Sequence, residues 1–342
     1  MIRYLLTRLA GLVGVLLAVS AFTFVLMHSI PGGPFDAQAL AQNKMLPTEV
    51  IVTLNAKYGL DKPLLEQYLI YMSNAVRLDF GYSFTSQTRT VNQIIADQWP
   101  YSIQLGLLTL AFSLVVGLGL GLGAAIKQGG WLDYLGTAVS VFCMVMPGFV
   151  LAVLLQFIFA VRLNWLPTGG WDKPDTWVLP VLSNSLGPIL TLQRFAKSSM
   201  MDAMRANFVR TARAKGLSER RVMLVHVLKN ALSPIVTVGG PMAASLVIGS
   251  FFIERIFLIP GIGFYWVNAI QNRDYPMIMA STLIWTALIS VTFLLTDLAY
   301  ALIDPRVTFV KELPMNRWFT TADENAAPGG MTGLVGAFSL ES

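Results

Sequence analysis

The side chains that could do chemistry in this chain are few, and most of them are cations. The densest group is Arg210, Thr211, Ala212, Arg213, Ala214, Lys215, Gly216 and Leu217, followed at once by Glu219, Arg220 and Arg221. Guanidinium and ammonium groups so spaced recognise acidic partners, and an arginine, always charged, supplies neither a nucleophile nor a general base. The one cysteine, Cys143, falls inside an apolar run and reads as packing. The two histidines, His28 and His226, lie far apart, and without a second cysteine a zinc site of the usual ligand type is not supported. Gly117, Gly119, Gly121 and Gly123 lack the spacing of a dinucleotide fingerprint and follow no strand. They fit close packing of helices in a membrane instead. No phosphate-loop motif occurs, so the chain does not hydrolyse ATP by that route.

What must position the basic cluster is a pair of helices around a glycine. Asp202 to Lys215 is rich in Ala, Arg and Met, all good helix formers. Gly216 fits the left-handed residue that ends a helix, with Arg213 and Lys215 placed to complement the C-terminal dipole. Ser218 suits an N-cap, with Glu219 in the favourable first turn. A second helix then runs toward Pro234. Ala212 and Ala214 are small enough to let the first helix enter a partner's groove, with the cations at its rim. A solvated basic loop touching anionic lipid is the plainer alternative, but such a loop has no need of two capped helices.

The elements on either side are far more apolar than those of a soluble domain. Of 342 residues, 55% are hydrophobic and 13% charged, against about a quarter charged in soluble domains. The mean hydropathy is +0.61. These values predict an all-α integral membrane protein. Six stretches are long enough to cross a hydrocarbon core of ~30 Å: Leu9 to Met27, Ile103 to Ile126, Leu135 to Val161, Trp177 to Phe195, Ile235 to Ile253 and Met277 to Ile303. The fourth is the weakest, since it contains Pro180, Asn184 and Pro188, and Pro147 and Pro241 interrupt the third and fifth.

With the N-terminus inside, 15 of the 24 Lys and Arg residues fall on the cytoplasmic side and 9 outside, five of these in one long loop. The positive-inside rule therefore puts both termini in the cytoplasm. The net charge of +5 is thus accounted for by topology rather than by nucleic acid. The first span is expected to remain uncleaved, because Ala39-Leu40-Ala41 lies well past the end of its apolar run.

Residues 29–98 form the long outer loop. Pro31-Gly-Gly-Pro34 predicts a turn, Pro47-Thr48 opens a helix that stops near Gly59, Asp61 opens another with Pro63 in its first turn, and Thr90-Val-Asn-Gln93 is a capping-box pattern. This loop reads as a small helical structure with a contact surface facing outward.

The chain resembles the first of the two permease subunits of oligopeptide and dipeptide ABC importers. The permeases' cytoplasmic motif of Glu-Ala-Ala, three residues, Gly and a later Ile-x-Leu-Pro aligns with Arg210-Thr211-Ala212, Gly216 and His226-Val227-Leu228-Lys229. The Glu and Pro are absent, and the Arg-Thr-Ala-Arg-Ala-Lys-Gly found instead is the form characteristic of the peptide-permease branch. Ala56 to Pro63, Asp79-Phe-Gly81, Ile253-Glu254, Pro260-Gly-Ile-Gly263, Asn272-Arg-Asp-Tyr275 and Asp304-Pro-Arg306 also look like that branch. The resemblance covers residues 1–310.

It implies a type I ABC importer permease fold with six transmembrane helices in a prokaryotic inner (plasma) membrane, and a cytoplasmic coupling segment at residues 198–232. It implies a second homologous permease, two ATPase subunits holding ATP and Mg, an extracytoplasmic peptide-binding protein, and surrounding lipid. The chain itself would bind no cofactor and catalyse nothing. Arg210 to Leu217 would couple it to the ATPases. Asp297, an acid inside the last span, is expected to pair with Arg194 near the inner face rather than relay protons. The substrate-binding residues are not identified, and residues 311–342 are expected to be a disordered cytoplasmic tail.

Nickel chelates, haem or other solutes carried by the same machinery are the alternative cargo. An ATP-independent secondary transporter is the rival of another class, but it should show an internal repeat, and none is evident. An intramembrane protease would need a nucleophile and base at one depth, whereas the histidines sit near opposite faces.

Overall fold

The computed structural model describes residues 2–35, 47–86, 88–126, 129, 130, 134, 136, 138 and 146–303, and the side chains of most of them. Every element is helical, and among the described residues β-pairing is confined to one isolated bridge between Tyr82 and Thr90. Packing divides the chain into Met1–Asp297 and Leu298–Ser342; of the latter, only the helical residues through Ile303 are described.

Among the described residues three helices are long and apolar enough to cross a membrane: α1 (Ile2–Ser29), α4 (Val91–Ile126) and α11 (Tyr275–Ile303). Between α1 and α4 lie α2 (Thr48–Lys57) and α3 (Leu64–Val76). Both start directly after a proline, Pro47 and Pro63, whose fixed φ suits helix entry. Pro63 thus precedes its helix, which starts at Leu64 rather than at Asp61 with Pro63 inside its first turn. The capping box at the head of α4 is formed: Thr90 N–H donates to Gln93 Oε1 (3.0 Å) and Gln93 N–H to Thr90 Oγ1 (3.2 Å). As a result α4 begins about three turns before Ile103 and runs through Pro100.

The expected third span is described only in its second half. There α5 (Gly148–Leu155) starts after Pro147 and continues as a π-helical stretch, Gln156–Arg162. The fourth is part of a longer element, α6 (Pro174–Arg205), whose 32 residues pass through Pro180 and Pro188. At ~1.5 Å per residue it measures about 48 Å, well beyond one hydrocarbon core. Its mixed polarity keeps it below the hydropathy of the three apolar helices. The expected fifth span, Ile235 to Ile253, is not one helix: α8 (Leu228–Ile248) continues through Pro241 and stops at Gly249, where φ is +102°, so the end of that stretch falls in the next helix.

Packing centres on α4 and α6, with α8 against both. Glycine makes this possible at two positions of α4. A methyl group on Gly121 would lie 2.7 Å from the Gln193 carbonyl oxygen and 2.6 Å from Ala196 Cβ; one on Gly117 would lie 2.9 Å from the Ile189 carbonyl oxygen. The α6 backbone therefore rests directly on that face. Gly119 and Gly123, on the other side, have nothing within 4 Å. The four glycines serve packing, but only two of them are needed for it.

A second cluster joins the outer loop to α1 and α11 through Phe24, Met27, Phe35, Phe80, Phe84, Tyr275 and Met279. The short helices α9 (Phe251–Ile256) and α10 (Ile262–Gln271) connect α8 to α11. Cys143, Ala39–Ala41 and the tail 311–342 lie outside the described residues.

Candidate functional site: a capped basic elbow and its outer counterpart

The basic segment is built as a helix, an elbow and a helix. The stretch expected to be helical from Asp202 is divided at Ala206, whose extended backbone (ψ 150°) ends α6 and starts α7 (Asn207–Ala214). The elbow follows at Gly216, with φ +76°. There Gly216 N–H donates to Arg213 O (2.9 Å) and Leu217 N–H to Ala212 O (3.4 Å). This 5→2 and 6→1 pair is a Schellman motif, and Leu217 packs back into the cluster beside it.

That cluster fixes α7 to its neighbouring helices. Val209 and Ala212 are buried against Ala125 at the end of α4, Met200 and Ala203 on α6, and Val222, Val227 and Ala231 on the following helix. Ala212 therefore faces the chain's own core, and its small size serves internal packing rather than a partner's groove. Phe208, Arg210, Thr211, Ala214 and Lys215 are exposed.

Arg213 lies in the last turn of α7 and reaches across the elbow. Its Nε and Nη2 donate to Glu219 Oε1 (2.7 Å) and Oε2 (3.1 Å), forming a bidentate bridge across the elbow. The hydrogen bond from Arg213 holds the Glu219 carboxyl below its ordinary value, and the same bond raises Arg213. Ser218 has the extended conformation of an N-cap, but its hydroxyl makes no capping bond. After Glu219–Arg221 the chain winds as a π-helix, Val222–Val227, which contains His226, and then enters α8. The Asp297 side chain lies outside the described residues, so its expected pair with Arg194 is not among the described contacts; Arg194 is exposed on α6.

Away from the elbow, Asp274 and Glu254 are two buried acids whose roles local sequence reading does not reveal. Asp274 caps α11 and gathers the loop: its Oδ1 accepts from Phe84 N–H (3.1 Å) and Met277 N–H (3.4 Å), and its Oδ2 from Thr85 N–H (3.1 Å) and the Ser83 hydroxyl. Beside it, Arg273 Nη1 donates to the carbonyls of Pro31 (2.8 Å) and Gly32 (2.7 Å). Glu254 is completely buried. Its carboxylate accepts from Gly263 N–H (2.7 Å) and Phe264 N–H (3.2 Å) at the head of α10, and from Ser250 N–H (3.2 Å). An acid just before an apolar helical run is the signal that could have identified Asp274 as a cap.

His28 packs between Phe24 and Tyr275, with ring centroids 4.1 and 4.9 Å away. It lines a cavity of about 410 Å³ between the loop helices, α1 and α11, together with Tyr58, Tyr71 and Phe84. Among the described residues no three His, Cys, Asp or Glu side chains converge as a metal site.

Comparison with known proteins gives this geometry its family. Residues 117–309 match the family described as "Binding-protein-dependent transport system inner membrane component", and residues 1–106 match its N-terminal companion. The chain is 38% identical over 312 residues to the dipeptide transport system permease protein DppB of Bacillus subtilis, covering 91% of this chain and 100% of the relative. It is 37% identical over 311 residues to the oligopeptide transport system permease protein OppB of Haemophilus influenzae, covering 90% and 100%. The corresponding protein OppB of Escherichia coli K12 is 36% identical, again over 90% and 100%. With membrane-length apolar helices, a helical core built on α4 and α6, and a match over more than half its length, the chain belongs to the binding-protein-dependent transport system inner membrane component family.

Proposed function

We propose that this chain is one of two homologous permease subunits that together line the translocation pathway of an ATP-driven peptide importer. The family is one of non-catalytic inner-membrane permeases that depend on a binding protein and hold no cofactor of their own. Dipeptide and oligopeptide transport is what the relatives' names describe, which favours peptides over nickel chelates or haem as the cargo. ATP and Mg are held on two partner ATPases.

The observation that carries the coupling role is the packing of α7. Its inner face, Val209 and Ala212, locks onto the ends of α4, α6 and α8, while Phe208, Arg210, Thr211, Ala214 and Lys215 stand outside. A helix so mounted acts as a lever: an ATPase groove that grips the outer face turns the spans with it. Arg210 to Leu217 form this lever, and residues 198–232 the whole coupling segment. Gly216 and the Arg213–Glu219 bridge set its angle.

The proposed topology has six spans with both termini in the cytoplasm, residues 1–310 as the transmembrane domain and 29–98 as the outer loop. Its fourth and fifth spans lie in α6 and α8. The loop meets the binding protein, held at the head of α11 by Arg273 and Asp274. Asp297 pairs with Arg194 near the inner face, on the strength of the matching depths that the span assignment gives them. Lipid surrounds the assembly, and 311–342 form a disordered cytoplasmic tail.

The test is gentle purification of the tagged chain from its native membrane. A second permease and ATPase subunits should be recovered with it, and a cysteine placed at Lys215 should cross-link to an ATPase. A chain that purifies alone, and forms no such cross-link in the membrane, would contradict the proposal.

A further inference from the structure

Helix α3 belongs to the outer loop, yet one of its sides is composed like a membrane helix. At about 100° per residue, Leu64, Leu65, Tyr68, Leu69, Met72 and Val76 fall on one arc. Glu66, Gln67, Ser73, Asn74 and Arg77 fall on the opposite one, interrupted only by Ile70. No residue of α3 is fully buried. Leu65 is 71% exposed, Leu69 57% and Val76 81%, so among the described residues nothing covers this part of the arc, while Tyr68 and Met72 are half-buried.

The depth of this arc is fixed by Tyr68. Its hydroxyl hydrogen-bonds to Ser20 Oγ at 2.8 Å, and its ring meets Phe24 edge-on at 5.4 Å. Ser20 precedes Ser29, the outer end of the apolar span Leu6–Ser29, by nine residues, which is about 13 Å along the helix. A tyrosine side chain is shorter than that. The backbone of α3 at Tyr68 therefore lies below the level of Ser29, beside a span whose own Phe22 and Val25 are exposed. The charges follow the same plan: Glu66 is held by Lys62 at 2.8 Å on the polar side, and Arg77 follows the last turn.

We infer that α3 is an interfacial helix, seated in the outer leaflet with Leu64, Leu65, Leu69 and Val76 against lipid acyl chains. The occupant is lipid because the arc lies beside α1 at a depth where water is scarce, and because its pattern is that of helices lying in the membrane plane. This rests on reading α1 as a span. Seated in this way, α3 holds the cavity and the Asp274-anchored loop at a set height above the bilayer.

The test uses the full chain with its associated subunits, in phosphatidylethanolamine–phosphatidylglycerol vesicles. Cys143→Ser removes the native thiol, and nitroxides are attached singly at Leu65→Cys, Leu69→Cys, Ser73→Cys and Phe22→Cys. Oxygen, concentrated in lipid, and a water-soluble nickel chelate compete to relax each label. Oxygen should dominate severalfold at 65, 69 and 22, and the chelate at 73. A chelate effect at 65 and 69 equal to that at 73 would place α3 in water and overturn the inference. Labels at 65 and 69 reached by neither reagent would mean that a protein, such as a second permease, covers the arc, which also overturns it. The Phe22 label separates the two claims, because water exposure there would refute the span itself.

Discussion

Arg213 and Glu219 grip each other across Gly216 with two hydrogen bonds, 2.7 and 3.1 Å long, so the helix before the elbow and the helix after it are joined by a charge clamp as well as by backbone. The clamp closes a turn whose middle residue, Gly216, is left-handed. Backbone and side chains thus define one angle between α7 and the helix that leads to α8.

Glycine at 216 is required by conformation, since nothing lies within 4 Å of an added methyl group there. Gly216→Val should strain the left-handed backbone by about 1 to 2 kcal/mol and distort the elbow. Insertion in the membrane should survive while uptake falls. Gly216→Asn, which tolerates this region, should retain most uptake. Parallel uptake and membrane-fraction measurements check both.

Exchanging the clamp tests geometry against charge. Arg213→Glu should reduce uptake by opposing Glu219, and the double variant Arg213→Glu with Glu219→Arg should recover part of it. Lowered by its partner, Glu219 contributes stability present above its ordinary value of 4.5 and lost as pH falls through its folded value below that. The elbow should therefore keep its angle from neutral pH down to mildly acidic conditions and loosen only below the usual carboxylate range. Distances between spin labels on either side of Gly216 report this directly.

The two faces of the glycine run should respond differently. Gly121→Val pushes into the α6 backbone and should lower thermal stability of the purified protein by about 1 to 3 kcal/mol or more. Gly119→Ala meets open space and should be neutral or slightly stabilising, as removal of a mid-helix glycine is. Melting in detergent distinguishes them.

Asp274 should control the outer loop. Asp274→Ala leaves the N–H groups of Phe84 and Thr85 without their acceptor, at about 1 to 3 kcal/mol for each one that stays buried. The loop should become sensitive to external protease. Asp274→Asn keeps one acceptor oxygen and should be intermediate.

Local chemistry was legible wherever one turn of chain decides the outcome. Gly216, the Thr90–Gln93 box and the helix start after Pro47 needed only near neighbours, whereas the second loop helix starts at Leu64 and not at Asp61. Span limits were less legible, because helices do not stop at the edge of an apolar run: α4 begins at its box and α6 continues past Phe195 to Arg205. The inward turn of Ala212 depends on α4, α6 and α8 closing around α7, which no local pattern reveals. Asp274 reaches residues about 190 positions earlier in the chain, so its cap could be anticipated but its grip on the loop could not. The type of Ser218 suggests a cap, but its hydroxyl makes no capping bond, and the elbow is closed by Arg213 and Glu219 instead.

The most direct test of the central claim is uptake of a labelled peptide into vesicles holding this chain with its co-purified permease and ATPases, with binding protein supplied outside. Uptake should require both ATP and binding protein, and should be lost in Gly216→Val while the complex stays assembled. Uptake by this chain alone, driven by an ion gradient without ATP, would contradict the account and make it a secondary transporter.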